Sequence, residues 1–448
     1  MKNIFFIGIN GIGMSGLAKI MLELGYNVSG SDLKKNYMST EMEKMGIKIY
    51  DSHNEKNIIG MDTVVVSTAI TEDNPEYKKA LKGNLLVLKR GELLAKLLND
   101  KLGIAIAGTH GKTTTSSMLA TVMLEKDPTI VVGGIVSDIK SNAKYGQGKY
   151  FVAEADESDN SFLYMKPEYS VVTNIEEDHM EKHGSLENIK KSFDKFISQT
   201  RTEVIACLDC KNVEEIINKV NDNKKIKTYS LKNKDADIYA ENIEIKGNKT
   251  YFNVFILKKF VGRFILSIPG KHNIYNSLPV IYLAIKMGIV LDTIVEKIEN
   301  FSGAKRRYDI LLDNESYKII DDYAHHPTEI KATLEGAKSI EREKITVIFQ
   351  PHRFSRVKFL LDKFKGVFEN ADQLILLPVY GAGEKDDFGI SLKKLAEKID
   401  HKNFKIILGE EELEKELLKG DYKKVEIFMG AGSISSIAHR FAKKIEGK

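Results

Sequence analysis

The chain has 448 residues with 42% hydrophobic composition, too long for one ordinary domain and apolar enough to build several cores. Its 67 basic and 63 acidic residues leave a formal net charge of +4, and no long basic block singles out nucleic acid or a membrane surface as a partner. No apolar stretch reaches membrane length, and the N-terminal apolar run breaks at residues 8–13 with no small-residue cleavage site after it, so a cytoplasmic setting is expected.

Residues 2–7 read as a strand, followed by a glycine turn, a helix over 14–24 and strands at 27–30 and 63–67, the pattern of a mononucleotide-binding α/β half. The segment from Gly11 to Gly16 fits the G-x-G-x-x-G fingerprint, and Asp32 stands where a ribose-binding acid is expected. Physically this is a pyrophosphate cradle. It does not separate NAD from another nucleotide diphosphate, and glycines also serve close helix-strand packing.

A helical run over 91–99 leads to a boundary near Asp100. Residues 102–107 then form an apolar strand that meets Gly108-Thr109-His110-Gly111-Lys112-Thr113-Thr114-Thr115 and a helix through Ala120. Strand, glycine turn and helix make a phosphate site: backbone N–H groups and the helix N-terminus face an anion, Lys112 supplies a cation, and Thr113 can ligate Mg²⁺. The expected guest is ATP. The loop is shorter than the standard P-loop, with Ile106 where that pattern has glycine. The alternative is an ordinary Gly-Lys turn capped by threonines; the preceding buried-type strand and three consecutive hydroxyls at the helix start favour the phosphate site.

Strands at 150–155, 169–174 and 203–208 with a helix over 186–199 continue an α/β sheet. Two short strands at 251–257 and 261–268 form a β-rich annex before a helix over 276–287. Cys207 and Cys210 form a C-x-x-C with neither a helix start nor a second ligand pair in view, so they are read as structural. After residues 304–307, strands at 317–320, 345–349, 373–377, 404–408 and 425–429 alternate with helices as a third α/β domain.

The segments 8–15 (GINGIGMS), 108–113 (GTHGKT), 154–159 (EADESD), 173–180 (TNIEEDHM), 270–276 (GKHNIYN), 321–329 (DDYAHHPTE) and 350–356 (QPHRFSR) together resemble the Mur ligase family, across all three domains. Asn10 departs from the pattern, since a further glycine is more usual there; asparagine also tolerates left-handed backbone. The resemblance implies an α/β protein of three domains: a Rossmann-like UDP-sugar domain over 1–99, a central P-loop-type ATPase domain with a small β annex over 100–304, and a C-terminal Rossmann-like amino-acid domain over 305–448. It further implies ATP, UDP-N-acetylmuramate and L-alanine as substrates and Mg²⁺ as cofactor, in a monomer or weak homodimer.

The chemistry implied is amide formation. A carboxylate does not accept an amine unaided, so it takes the γ-phosphoryl group of ATP to give an acyl phosphate that the amine captures. On the family match, Gly108, Thr109, His110, Gly111, Lys112, Thr113 and Thr114 hold the phosphates, with Asn273 and Asn276 at the adenine and Asp322 on the ATP side. Arg307, or its neighbour Arg306, reaches the γ-phosphate, and Thr113, Glu154 and His179 hold the metal. Lys112, Glu154, His179 and Arg307 are the catalytic set. Gly11, Gly13, Met14, Ser15, Asp32, His53, Ser67 and Ala69 are assigned to the UDP-sugar, with Asn74 and Glu76 nearby. Tyr323, His325, His352, Arg353 and Arg356 are assigned to the amino acid. The counterpart of the carbamylated lysine of other family members falls near Phe193, so none is expected. As bare sequence, Asn273 and Asn276 also fit a helix N-cap plus a surface residue, and His179 a helix start. Four alternatives stay open at this point: a ligase adding a recycled murein tripeptide to the same sugar, the distantly related folylpolyglutamate synthases, which lack a UDP domain, an NAD-dependent oxidoreductase, which leaves the second loop unused, and a nucleotide-sensing scaffold.

Overall fold

The first apolar run forms β1 (Asn3–Ile7), and Ile4 to Ile7 are fully buried, as a parallel strand covered on both faces must be. In the computed structural model, which describes residues 2–220, 225–386, 389, 391–419 and 424–447, β1 is the middle of a five-stranded parallel sheet. Its order is β3-β2-β1-β4-β5, with β2 (Asn27–Ser31), β3 (Lys48–Tyr50), β4 (Thr63–Val66) and β5 (Leu86–Lys89). The helices of this sheet are α1 (Ile12–Glu23), α2 (Tyr37–Lys44), α3 (Pro75–Lys82) and α4 (Arg90–Asn99). Strand order reverses between β1 and β4, so the loops leaving their carboxyl ends flank a crevice.

The same rule places the second loop. The central strand β6 (Leu102–Ala107) lies between β9 (Tyr150–Glu154) and β10 (Tyr169–Val172), within the order β12-β11-β10-β6-β9-β7-β8. The remaining strands are β7 (Thr129–Val136), β8 (Ser141–Lys144), β11 (Glu203–Cys207) and β12 (Lys225–Ser230), and only the β7–β8 hairpin among them is antiparallel. Helix α5 (Lys112–Val122) leaves the loop after β6 and is buried from Thr113 to Val122. Helices α6 (Met180–His183), α7 (Leu186–Gln199) and α8 (Lys211–Ile217) follow.

The chain divides into two compact units, residues 1–176, 187–239 and 279–294 in one and residues 177–186, 240–278 and 295–448 in the other. The annex expected as two strands has three: β13 (Ile238–Lys246), β14 (Lys249–Ile256) and β15 (Lys259–Leu266). The last two form an antiparallel hairpin turning at Leu257 and Lys258, both left-handed with φ of 50° and 64°, the conformation a two-residue hairpin loop demands. Then come α9 (Lys271–Lys286) and α10 (Leu291–Asn300).

The third sheet has the order β16-β17-β21-β18-β19-β20: β16 (Asp309–Asp313), β17 (Tyr317–Asp322), β18 (Ile345–Phe349), β19 (Gln373–Leu376), β20 (Phe404–Ile406) and β21 (Lys424–Met429). Only β16 runs antiparallel to its neighbour. Its helices are α11 (Pro327–Ile340), α12 (Phe354–Leu360), α13 (Leu392–Ile399), α14 (Glu410–Leu417) and α15 (Ile434–Glu446).

One core residue breaks the apolar pattern. Glu426 sits mid-strand in β21, 1% exposed, with Oε2 lacking a hydrogen-bond partner. Burial pushes its carboxyl up to about 8, against the opposing pull of Lys424. The folded state therefore keeps this proton between the ordinary value of 4.5 and about 8 while the unfolded chain releases it, so the site's contribution to stability falls as pH rises through that window. Glu426→Gln is expected to stabilise the protein at pH 8 and to change little near pH 4.5. Denaturant unfolding at the two pH values checks this, and an equal effect at both would contradict it.

Candidate active site

The turn after β1 is shaped by Gly8, at φ 81°, where a Cβ would lie 3.0 Å from the Cβ of Ser67. Asn10 is not left-handed, contrary to the reason offered for tolerating it. Instead it sutures two loops: its N–H donates to Asp32 Oδ2 (3.0 Å), its Nδ2 to the Lys34 carbonyl (2.7 Å), and its carbonyl accepts from Asn36 Nδ2 (3.2 Å). Gly11 is the N-cap of α1. Gly13 and Ile12 follow as the first two helical residues, whose amides have no intrahelical acceptor. Met14 and Ser15, named for the UDP-sugar, are buried at 1% and 0% and donate their N–H groups to the Gly11 carbonyl. They support the cradle from beneath. Gly16 serves packing, since a Cβ there would meet Asn142 and Ala143 of β8.

His53 hydrogen-bonds through Nδ1 with Ser31 Oγ (2.9 Å) and Glu76 Oε2 (3.0 Å), and the fully buried Glu76 also accepts from the Asn54 N–H and Asn57 Nδ2. Ser67 lines a cavity of about 400 Å³ with Thr68, Tyr77, Lys89, Asp159 and Tyr164, while Ala69 is exposed just past it.

The loop after β6 turns on Gly108 (φ 136°) and Gly111 (φ 83°), the latter the N-cap of α5. A Cβ on Gly108 would fall 2.0 Å from Thr173 Oγ1, so glycine is required there. Asn174, at the end of the neighbouring strand, fixes the loop: Thr109 N–H donates to its carbonyl and His110 N–H to its Oδ1. Thr109 Oγ1 accepts from the Glu176 N–H, and His110 Nε2 stands 3.6 Å from Glu176. Lys112 Nζ donates to the carbonyls of Gly108 and Thr109 and to Glu157 Oε1 (2.9 Å). Burial opposes its charge, but Glu157, Asp156 and Glu154 outweigh that and raise its pKa.

Thr113 Oγ1 donates to Glu154 Oε1 at 2.9 Å, and the other Glu154 oxygen accepts from the Gly133 N–H. A Cβ on Gly133 would overlap that carboxylate. A hydroxyl and a carboxylate oxygen side by side at a helix start are hard donors that fit Mg²⁺. Thr114 is buried one residue further on.

In the other unit, His179 is the N-cap of α6 with φ 52°, flanked by Asp178 (3.5 Å) and Glu181 (3.6 Å). Arg356 is 7% exposed, donating to Asp178 Oδ1 (3.1 Å) and to His352 Nδ1 (3.1 Å). Burial would raise the Asp178 carboxyl, but Arg356 and three histidines hold it far below the usual range. Arginine only donates, so His352 Nδ1 is an acceptor and its proton is on Nε2. Burial, reinforced by nearby positive charge, pushes His325 and His352 down to about 3, leaving both neutral at pH 7. Arg353 is the N-cap of α12 at φ 66°, one-third exposed and 3.5 Å from Glu181.

The guanidinium carbons of Arg306 and Arg307 lie 4.7 and 5.0 Å from the Tyr323 ring centroid, and Arg307 is 3.7 Å from Glu329. Asp322 braces this segment, accepting from the N–H groups of Tyr308 and Ala324 (2.8 Å each), and burial lifts its carboxyl to about 6. Asn273 donates to the Pro269 carbonyl and accepts from Asn276 Nδ2. Both are buried at 6%, so the surface-residue alternative for Asn276 does not hold.

Several residues that matter to this geometry were not singled out from the sequence: Arg90, Glu157, Asn174, Asp178 and Tyr380, whose ring stacks on His352 at 5.7 Å. Glu157, Asn174 and Asp178 lie within the quoted segments 154–159 and 173–180 without having been given a role, whereas for Arg90 and Tyr380 the signal available was their position after the carboxyl end of a strand. The C-x-x-C does have a helix start, because Cys210 is the N-cap of α8. Burial nevertheless pushes the Cys207 thiol up to about 12, which suppresses the reactive thiolate. Phe193 is fully buried against Phe162 (5.2 Å).

The models described as "Mur ligase family, catalytic domain", "Mur ligase middle domain" and "Mur ligase, glutamate ligase domain" match residues 3–102, 106–284 and 306–433. The UDP-N-acetylmuramate–L-alanine ligase of Fusobacterium nucleatum is 55% identical over 457 aligned positions, covering 100% of this chain and 98% of its own. The chain belongs to the Mur ligase family. A second member, the UDP-N-acetylmuramate–L-alanine ligase of Geotalea uraniireducens, is 40% identical over 100% and 99% of the two chains. Among solved Mur ligase structures, the UDP-N-acetylmuramate-alanine ligase of Thermotoga maritima superposes with a TM-score of 0.84 at 30% identity, covering 100% of both chains. The murein peptide ligase of Psychrobacter arcticus shares the fold, with a TM-score of 0.75 at 24% identity over 100% and 99%.

Proposed function

We propose that the chain joins L-alanine to the lactoyl carboxylate of UDP-N-acetylmuramate, with ATP converted to ADP and phosphate, as a step of peptidoglycan precursor synthesis in the cytoplasm. The observation that carries this is a pair of separate phosphate loops, each at the reversal point of its own sheet, in a chain 55% identical along its whole length to an L-alanine ligase. One loop suffices for an ATPase or a dehydrogenase; two are what a reaction between a nucleotide sugar and ATP requires.

The roles follow from charge. The amides opening α1 and the Asp32 carboxylate take the UDP-sugar, and the cavity beside Ser67 has room for the sugar. Lys112 leaves the loop carbonyls to hold the β/γ-phosphates, and the amides of Gly111 to Thr113 line the α5 N-terminus. Thr113 and Glu154, with His179 carried over from the family match, would hold Mg²⁺, which offsets phosphate charge during transfer. Arg307, steadied by Tyr323 and Glu329, stabilises the γ-phosphoryl group, and Asn273 and Asn276 face the adenine. Arg353 and Arg356 take the L-alanine carboxylate. Neutral His325 and His352, with Tyr323, line the amine side without adding charge that would repel an ammonium. We take the enzyme to act as a monomer or weak homodimer.

The test is ADP release in the presence of Mg²⁺. It is expected only when UDP-N-acetylmuramate and L-alanine are both supplied, because the first is the phosphoryl acceptor and the second drains the intermediate. ATP-independent hydride transfer from NADH, with no ADP formed, would defeat the reading.

A further inference from the structure

Arg90 opens α4 directly after β5, and its side chain meets two loops distant in sequence. Its Nη2 donates to Asp156 Oδ2 at 3.3 Å and stands 3.7 Å from Asp159 Oδ2. On its other side, a Cβ placed on Gly13 would meet Arg90 Cδ at 3.1 Å and Nη1 at 3.2 Å. The side chain is only 16% exposed, so this is a built contact. A guanidinium carries five N–H donors in a rigid fork. Here one arm is engaged by carboxylates and the other is turned to the glycine cradle.

The cradle needs such a group. Residues 8–16 contain no lysine or arginine, and Lys19, the lysine of α1, is paired with Glu41 at 3.0 Å. A helix N-terminus contributes only about half a positive charge against the roughly two negative charges of a diphosphate. Lys89 and Gly91, on either side of Arg90, and Asp159, its ion-pair partner, all line the 400 Å³ cavity. Arg90 thus stands where the cradle meets the cavity, as a diphosphate meets the sugar it carries.

The geometry points to Arg90 as the cationic ligand of the UDP-sugar diphosphate, holding it through the Nη1 arm while Asp156 and Asp159 fix the Nη2 arm. This rests on the assignment of the Gly11–Gly16 loop under Proposed function. Gly13 is then required to be glycine for a second reason besides backbone approach: any side chain would displace the guanidinium.

Calorimetric titration of the full chain with UDP, uridine and UDP-N-acetylmuramate separates a phosphate ligand from a mere clamp. Arg90→Ala is expected to weaken UDP and the UDP-sugar about ten- to hundredfold, the loss of one charge-assisted contact. Uridine affinity should change less than about twofold and an ATP analogue should bind as before, with Arg90→Lys recovering part of the loss. If Arg90→Ala fails to fold, Arg90→Gln keeps the stem and a donor for Asp156 while removing the charge, and the same selective loss is expected. Equal losses for UDP and uridine, or no loss for either, would overturn the assignment and leave Arg90 a clamp. A wild-type protein that binds neither UDP nor the UDP-sugar would instead remove the loop assignment itself, and the Arg90 role with it.

Discussion

Lys112→Ala is expected to lower turnover by about two to three orders of magnitude while leaving UDP-sugar affinity within about twofold. Phosphoryl transfer is catalysed by positioning and electrostatics, and removing one preorganised charge from such a site typically costs about that much. The ammonium's three donors are engaged by the carbonyls of Gly108 and Thr109 and by Glu157, so the charge is kept at the loop until it exchanges the carbonyls for the phosphates. The UDP-sugar cradle belongs to a different sheet and shares no residue with this loop. Turnover assays and calorimetry with the UDP-sugar check both halves, after a melting curve has shown that the variant folds. Lost UDP-sugar binding in a folded Lys112→Ala protein would mean that the two loops are wrongly assigned.

The second large effect separates two arginines that look equivalent in sequence. Arg353→Ala is expected to raise the KM for L-alanine about ten- to hundredfold with the KM for ATP unchanged, the cost of one charge-assisted carboxylate contact. Arg353 is one-third exposed and makes only a 3.5 Å ion pair with Glu181, and it adopts a left-handed φ of 66° that a non-glycine residue holds only when its surroundings enforce it. Arg356 is different. Its removal leaves Asp178, 10% exposed, without its cation, so Arg356→Ala is expected to destabilise the fold by about 3 to 5 kcal/mol in addition to any KM effect. Denaturant unfolding and L-alanine kinetics on both single variants distinguish the two roles. An unchanged L-alanine KM in both variants and in the double variant would remove the loop from the amino-acid site.

Strands buried on both faces were the most legible elements. The reading of 345–349 coincides with β18, and β17, β19, β20 and β21 were located to within two residues at each end, because a continuous apolar run is what a parallel core strand looks like, whereas the antiparallel β16 was not seen. The β7–β8 hairpin was not seen: Gly133 and Gly134 interrupt it, and glycine there clears space for Glu154. Strands β12 (KIKTYS) and β13 (IYAENIEIK) interleave polar and charged residues with apolar ones and so lack a continuous apolar run. Helix α9 begins five residues before the expected start because the polar Lys271, His272 and Asn273, left outside the expected helix, form its first turn.

For the site, motifs located the loops and left the direction of side chains open. Met14 and Ser15 belong to the glycine fingerprint, yet helix geometry turns them inward. Asp322, grouped with ATP, spends its carboxylate on backbone amides that hold the segment bearing Arg307. Arg90 and Tyr380 belong to no motif: each is one residue past a strand or its loop, and only the folded sheet brings Arg90 to Gly13 and Tyr380 to His352.

The central claim is that a carboxylate, activated by the γ-phosphoryl group of ATP, is captured by an amine. Oxygen exchange tests it most directly: UDP-N-acetylmuramate labelled with ¹⁸O in both lactoyl carboxylate oxygens is turned over with ATP and L-alanine, and the released phosphate is analysed by mass spectrometry. In the acyl phosphate route one carboxylate oxygen bridges carbon and phosphorus and leaves with phosphorus when the amine attacks, so each phosphate should carry one ¹⁸O and the amide product should keep the other. Amide formed with unlabelled phosphate, or labelled AMP with pyrophosphate in place of ADP, would contradict the account.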